Sequence, residues 1–200
     1  MAKISDRTLQ YLIMFNRETF IGRIVYGGGF VFDFARWLII LTVILTLLHF
    51  FVITIFVVDG ASMDPTLATG EFGMLDKITY DFASPQRGDI VVLNYPGDPE
   101  NKQYVKRVIG LPGEKVEVKQ GSVFINGKKL TETYLPSWLG TDKDGTWQLS
   151  SVEYFTMGDN RPNSNDSRYF GPVEKRFIVG KTVWILIPRF FSITTPTYNF

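Results

Sequence analysis

Residues Trp37 to Val58 read WLIILTVILTLLHFFVITIFVV, with no Asp, Glu, Lys or Arg among them. The run is apolar all round a helix, whereas a core helix of a water-soluble domain carries a one-sided stripe. As a helix it would span about 33 Å, against a hydrocarbon core of about 30 Å. It is longer than the apolar part of a cleaved leader and begins later in the chain. The sequence therefore predicts one transmembrane helix at 37–58, with residues 1–36 before it and 59–200 after it. Lys3, Arg7, Arg17, Arg23 and Arg36 outnumber Asp6, Glu18 and Asp33 ahead of the run. Positive residues beside a span favour the cytoplasmic side, which puts the N-terminus inside and residues 59–200 outside. Leu9, Leu12, Ile13 and Phe20 fit one face of an amphipathic helix on the membrane surface. Gly27-Gly28-Gly29 then reads as a flexible joint before the span.

After Asp59 the pattern changes to short runs. Ile90-Val91-Val92-Leu93, Tyr104 to Ile109, Val116 with Val118, Val123-Phe124-Ile125, Tyr154 to Met157 and Ile178 to Ile187 all read as strands. Asn126-Gly127, between Ile125 and Leu130, is a strong two-residue hairpin signal. No long helical period intervenes. The expectation is a mostly β domain, built as small antiparallel sheets or a partly open barrel. Residues 131–151 are polar around Thr141-Asp142-Lys143-Asp144-Gly145 and read as a surface loop or an inserted hairpin. Trp138 and Trp147 in this segment suit either a membrane–water interface or core packing.

Composition removes several chemistries. A net charge of +1 gives no overall field for nucleic acid. The absence of cysteine excludes thiolate nucleophiles, disulfides and cysteine-held metals. The one histidine, His49, lies inside the apolar run, so a Ser-His-Asp triad or a two-histidine metal site in the domain is unavailable. A hydrolase built on this chain needs a lysine or a carboxylate as base, or a metal held by oxygen ligands.

Three clusters carry candidate chemistry. Ser62 lies in Gly60-Ala61-Ser62-Met63-Asp64-Pro65, a few residues beyond the apolar run. Lys106 and Arg107 sit side by side in the strand Tyr104–Ile109. Strand alternation sends them to opposite faces, one to solvent and the other to the interior or a cleft. A lysine pressed among apolar groups loses its proton more easily, and the neutral amine can take a proton from a serine hydroxyl. The third cluster, Gly158 to Gly171, is dense in side chains that bond the backbone locally, with Asp166 and Arg168 spaced as an ion pair.

Together the clusters resemble the type I signal peptidases. The matching segments are Ser-Met-x-Pro-Thr-Leu at Ser62–Leu67, Arg-Gly-Asp-Ile-Val at Arg87–Val91, Lys-Arg-Val-Ile-Gly-Leu-Pro-Gly at Lys106–Gly113, and Gly-Asp-Asn-x-x-x-Ser-x-Asp-Ser-Arg at Gly158–Arg168. They follow an apolar span in the family's order, and the resemblance covers roughly residues 37–190. It implies a membrane-bound endopeptidase that removes signal peptides from exported preproteins after small residues at positions −1 and −3. Its partners are those preproteins and the lipid bilayer, and it needs no cofactor or metal. It further implies Ser62 as nucleophile, Lys106 as general base and Ser164 bonded to the Lys106 amine. Asp166 would pair with Arg168 to hold the loop. The Ser62 N–H would be one oxyanion donor. Gly60 stands where some members carry a serine hydroxyl as second donor, so a backbone group or water could serve instead. By analogy, Met63, Leu67, Tyr104 and Val105 are the residues expected to line the pockets. Penicillin-binding enzymes also pair serine with lysine, but through Ser-x-x-Lys, which does not occur in this chain. Repressor-cleaving autoproteases need no span, and an anchored binding module would not need both Ser62 and Lys106.

Overall fold

The structure is a computed structural model that describes residues 20–100, 102–196 and 198, with side chains described from Gly28 onward. Leu9, Leu12 and Ile13 lie outside the described residues. Helix α1 runs Phe20–Phe51, and its segment Gly28–Phe51 has a mean hydropathy of 2.1, long and apolar enough to cross a membrane. Two features differ from the sequence reading. Gly27-Gly28-Gly29 is helical and forms no joint. Each glycine costs about 1 kcal/mol against alanine in a helix, which a long hydrogen-bonded run can absorb. The apolar run is also divided: the helix ends at Phe51, and Ile53–Val57 is strand β1. Val52-Ile53-Thr54-Ile55 is a β-branched series that suits a pleated strand better than a helix. Lys77 secures the change, its N–H bonding Val52 O at 3.0 Å and its ammonium bonding Phe50 O at 3.2 Å.

Residues 50–200 form a unit of their own built of two sheets. The larger contains β1, β2 (Phe72–Asp76), β3 (Ile90–Asn94), β4 (Gln103–Gly110), β9 (Glu153–Met157), β10 (Val173–Glu174), β11 (Ile178–Ile187) and β12 (Phe191–Ser192). Its strand order is β1-β2-β11-β3-β4-β9-β10, antiparallel throughout, with β12 on the second half of β11. The smaller sheet has the order β7-β6-β5-β8, from β5 (Lys115–Lys119), β6 (Ser122–Ile125), β7 (Lys128–Lys129) and β8 (Gly145–Gln148). Asn126-Gly127 makes the β6–β7 turn, with Asn126 at φ 50 as such a hairpin requires. Short helices α2 (Thr79–Phe82) and α3 (Ser167–Phe170) fill connections.

Each predicted strand is present, and three apolar clusters hold them together. Ile109, Val116, Val123, Ile125, Phe155 and Met157 join the two sheets, with Trp147 packed on Phe155 at 4.7 Å between ring centroids. Val91, Leu93, Val108 and Tyr154 fill a second cluster. Val58, Met63, Leu67, Ile90 and Ile185 form the third, directly under the Ser62 turn. Residues 131–151 are more than a surface loop: β8 pairs with β5, and Glu132, Tyr134, Thr141 and Asp142 bond to side chains of the 158–168 segment.

Candidate active site

Ser62 sits in the turn between β1 and β2, and Lys106 projects from the middle of β4. The turn is stitched tightly. Asp64 N–H bonds Ala61 O at 3.2 Å, and Leu67 N–H bonds Met63 O at 2.9 Å. Asn160 clamps it from outside, its N–H on Ser62 O at 3.1 Å and its Nδ2 on Ala61 O at 2.9 Å. Gly158 lies against the same turn. A Cβ there would collide with Ser62 O and Ser164 Oγ, so only glycine allows this approach. Gly60 holds a φ of 99°, a conformation that side-chain-bearing residues rarely adopt.

Lys106 Nζ lies 2.7 Å from Ser62 Oγ and 3.0 Å from Val105 O. The residue is 3% exposed. Met63, Val58 and Ile90 pack the neighbouring cluster, with Val105 against it, and the Tyr104 ring centroid lies 5.1 Å from Nζ. Desolvation lowers the amine's pKa to about 8, against the pull of Asp166 and Asp159 and with a small push from Arg168. Arg107, the next residue, is also buried, at 2% exposure. The sequence expectation that one of the pair faces solvent is therefore corrected. Asp159 meets Arg107 with two bonds, from Nε at 2.8 Å and Nη2 at 2.6 Å, and the Tyr134 ring covers the guanidinium at 4.1 Å.

The 158–168 segment is held by buried charge. Asp166 accepts from Gly158 N–H at 2.9 Å and from Arg168 Nε and Nη2, each at 2.9 Å. Arg168 also bonds Arg161 O at 2.6 Å and pairs with Asp142. Arg161, wholly buried, bonds Gly158 O, Thr141 Oγ1 and Glu132. Thr66 Oγ1 donates to Asp159 at 2.6 Å, tying the nucleophile turn to this network.

Two expected site residues are placed differently. Ser164 Oγ is buried and has no hydrogen-bond partner, so the expected bond to the Lys106 amine is not made. The hydroxyl stands instead against the bare face of Gly158. Leu67 is fully buried in the cluster beneath Ser62 and does not line the groove. Met63, Tyr104 and Val105 do line it, in a cleft of about 370 Å³ between residues 56–63 and 103–106 that Asn163 and Asn165 close. Asp159, Arg107 and Arg161 escaped the sequence reading as a structural set. The signal available was the Gly-Asp-Asn-Arg run itself, whose charges have no solvent-facing period. Asp89 of the Arg-Gly-Asp-Ile-Val segment is likewise structural, accepting from Tyr80 OH at 2.9 Å, Lys181 Nζ at 2.7 Å and Thr195 Oγ1 at 2.9 Å.

The arrangement puts a dry amine against a serine hydroxyl in a groove lined by both apolar and polar side chains. Residues 31–187 match the family described as signal peptidase, peptidase S26. A signal peptidase I of Bacillus amyloliquefaciens is 41% identical over 171 residues, covering 79% of this chain and 89% of its own. Signal peptidase IB of Staphylococcus aureus strain MRSA252 is 35% identical over 188 residues, covering 84% and 95%. A crystal structure of a signal peptidase I from Enterococcus faecalis V583 shares 35% identity with a TM-score of 0.44, covering 50% of this chain and 97% of that one. The chain belongs to the signal peptidases of peptidase family S26, serine peptidases that remove signal peptides.

Proposed function

We propose that the chain cleaves exported preproteins through a Ser62/Lys106 dyad and an acyl-enzyme. The observation that carries this reading is the 2.7 Å approach of a buried amine with a pKa of about 8 to Ser62 Oγ. The neutral amine takes the hydroxyl proton as Oγ attacks the carbonyl carbon of the scissile bond. The Ser62 N–H donates to the oxygen that becomes negative. The resulting ammonium returns its proton to the leaving amine, and the freed lysine then activates water to hydrolyse the ester. Once protonated, Lys106 has a third N–H to place, and the partnerless Ser164 Oγ beside Ser62 is the acceptor we assign to it. Asp166 and Arg168 hold Ser164 in position.

The groove between residues 56–63 and 103–106 receives the signal-peptide side. Met63, Tyr104 and Val105 restrict positions −1 and −3 to small side chains. Helix α1 anchors the enzyme in the cytoplasmic membrane through Gly28–Phe51, a span that begins nearer the N-terminus than the expected 37–58, with the chain before it inside and the β domain outside. An apolar sheet face supports contact with lipid: Ile53, Ile55 and Val57 are exposed on one side of β1, and Val57 is aligned through Phe72 with Ile187, both also exposed. The reading is tested by incubating the detergent-solubilised protein with a preprotein and sequencing the product's N-terminus. Wild type should release a mature chain cut after a small residue, and Ser62→Ala none. Cleavage by Ser62→Ala at the same bond would remove the dyad.

A further inference from the structure

Along the Ser62 turn, the larger groove's lining ends at Met63. A second hollow begins at the next residue. It is lined by Asp64, Pro65, Pro136, Trp138, Leu139 and Asn160, and holds about 150 Å³. A cavity of about that size accepts a benzene ring in another protein, so it can hold one apolar side chain. Its walls are tied to the nucleophile, because Asn160 bonds both Ala61 O and Ser62 O. Its rim is fixed as well: Leu139 N–H bonds Pro136 O at 2.9 Å, and Glu132 and Thr141 anchor the two ends of that loop on Arg161. Trp138 nevertheless stands 80% exposed over this rigid frame. A large aromatic ring held in water beside an apolar hollow is surface that a ligand can cover.

We propose that this hollow receives an apolar side chain from the first three residues after the scissile bond, on the mature side of the substrate. The proposal rests on the reading that the larger groove takes the signal-peptide side. A polypeptide cut at Ser62 must leave the site in both directions, and the larger groove accounts for one. An extended substrate advances about 3.3 Å per residue, so one to three residues reach up to about 10 Å beyond the scissile bond, and the hollow's Asp64 and Pro65 follow Ser62 by two and three positions in the same turn. Trp138 then acts in substrate selection beyond the small-residue rule.

The test uses soluble peptides with one fixed signal-side sequence and alanine or leucine at each of positions +1, +2 and +3. They are cleaved by the full-length protein in detergent micelles. Leucine at one of these positions should raise kcat/KM roughly tenfold over alanine. Trp138→Ala should bring that ratio to about one, and Val152→Ala, an exposed change outside the hollow, should leave it intact. Ratios near one at all three positions in the wild type would overturn the proposal, as would a preference that survives Trp138→Ala. So would a Trp138→Ala defect that appears only with phospholipid vesicles and equally for every peptide, since that assigns the ring to lipid. Failure of the groove reading has a separate signature: leucine for alanine at −1 or −3 would then leave kcat/KM unchanged, whatever the ratios at +1 to +3.

Discussion

Strand β4 has two faces, and the two residues at its centre are buried to the same degree with opposite consequences. On one face, Arg107 meets a carboxylate with two bonds and has a carbonyl and an aromatic ring for its remaining surface. Its charge is matched, and its pKa is raised. On the other face, Lys106 meets a hydroxyl and a carbonyl, with Asp159 and Asp166 acting only at a distance. Its charge is unmatched, and its pKa falls to about 8. Burial alone therefore does not make a base. What makes one is burial without a contacting carboxylate, next to a group that has a proton to give.

The largest effect expected from breaking this contrast is on catalysis. Lys106→Arg puts a permanent charge where a removable one is needed, because a guanidinium does not deprotonate in proteins. Lys106→Arg and Ser62→Ala should each lower kcat/KM by at least about 10³-fold, with far-UV circular dichroism unchanged. Activity in Lys106→Arg within tenfold of wild type would mean that the amine is not the base.

Next in size is the Arg107 face. Asp159→Ala leaves Arg107 buried without its counter-charge and should destabilise the domain by about 3–5 kcal/mol in urea unfolding. The same change removes one of the two carboxylates that raise the Lys106 pKa. Any residual activity should therefore reach its plateau at lower pH than in wild type.

The Lys106 face should show the reverse sign. An amine with a folded pKa of about 8 against an ordinary 10.5 opposes folding by on the order of 3 kcal/mol. That cost is fully present below pH 8 and is relieved as pH rises from about 8 towards 10.5, where the unfolded chain also loses its proton. Lys106→Met should thus be inactive yet more stable than wild type at pH 7, and the gain should shrink to under about 1 kcal/mol by pH 10. In wild type, kcat/KM should rise about tenfold per pH unit below pH 8 and then level off. A stability difference that does not change with pH would show that the amine is not desolvated.

How far these contrasts are visible in the sequence depends on the range of the forces behind them. Most strands of the two sheets are legible because their apolar runs and, in the smaller sheet, the Asn126-Gly127 turn are local signals. Strand β1 is hidden, because Ile53–Val57 continues an apolar run and only its pairing with Phe72–Asp76 distinguishes strand from span. Ser62 and Lys106 are legible as candidates through their motifs, 44 residues apart, but their 2.7 Å approach is set by long-range pairing. Lys106 and Arg107 read as one solvent-facing and one inward residue, because nothing local announces the partners that bury Arg107: Asp159, 52 residues on, and the Tyr134 ring. Leu67 is misread as lining the groove because its apolar character suits pocket and core alike, and only the packing under the turn separates the two.

The smallest expected effect concerns Ser164, whose hydroxyl is buried with no partner. An unmade bond of this kind costs about 1–3 kcal/mol, so Ser164→Ala should leave stability unchanged or raise it slightly. If that hydroxyl accepts from the Lys106 ammonium during turnover, the same variant should lose kcat by roughly tenfold or more, the value of one hydrogen bond to a charged group. KM should move little, because the bond would form as the proton transfers and not on binding. The rate plateau should also shift to lower pH, since an ammonium deprived of an acceptor gives up its proton more readily. A merely structural Ser164 predicts the opposite pattern, with lower stability and an unmoved pH profile. These two readouts in one variant decide whether the orphaned hydroxyl belongs to the Lys106 face of β4.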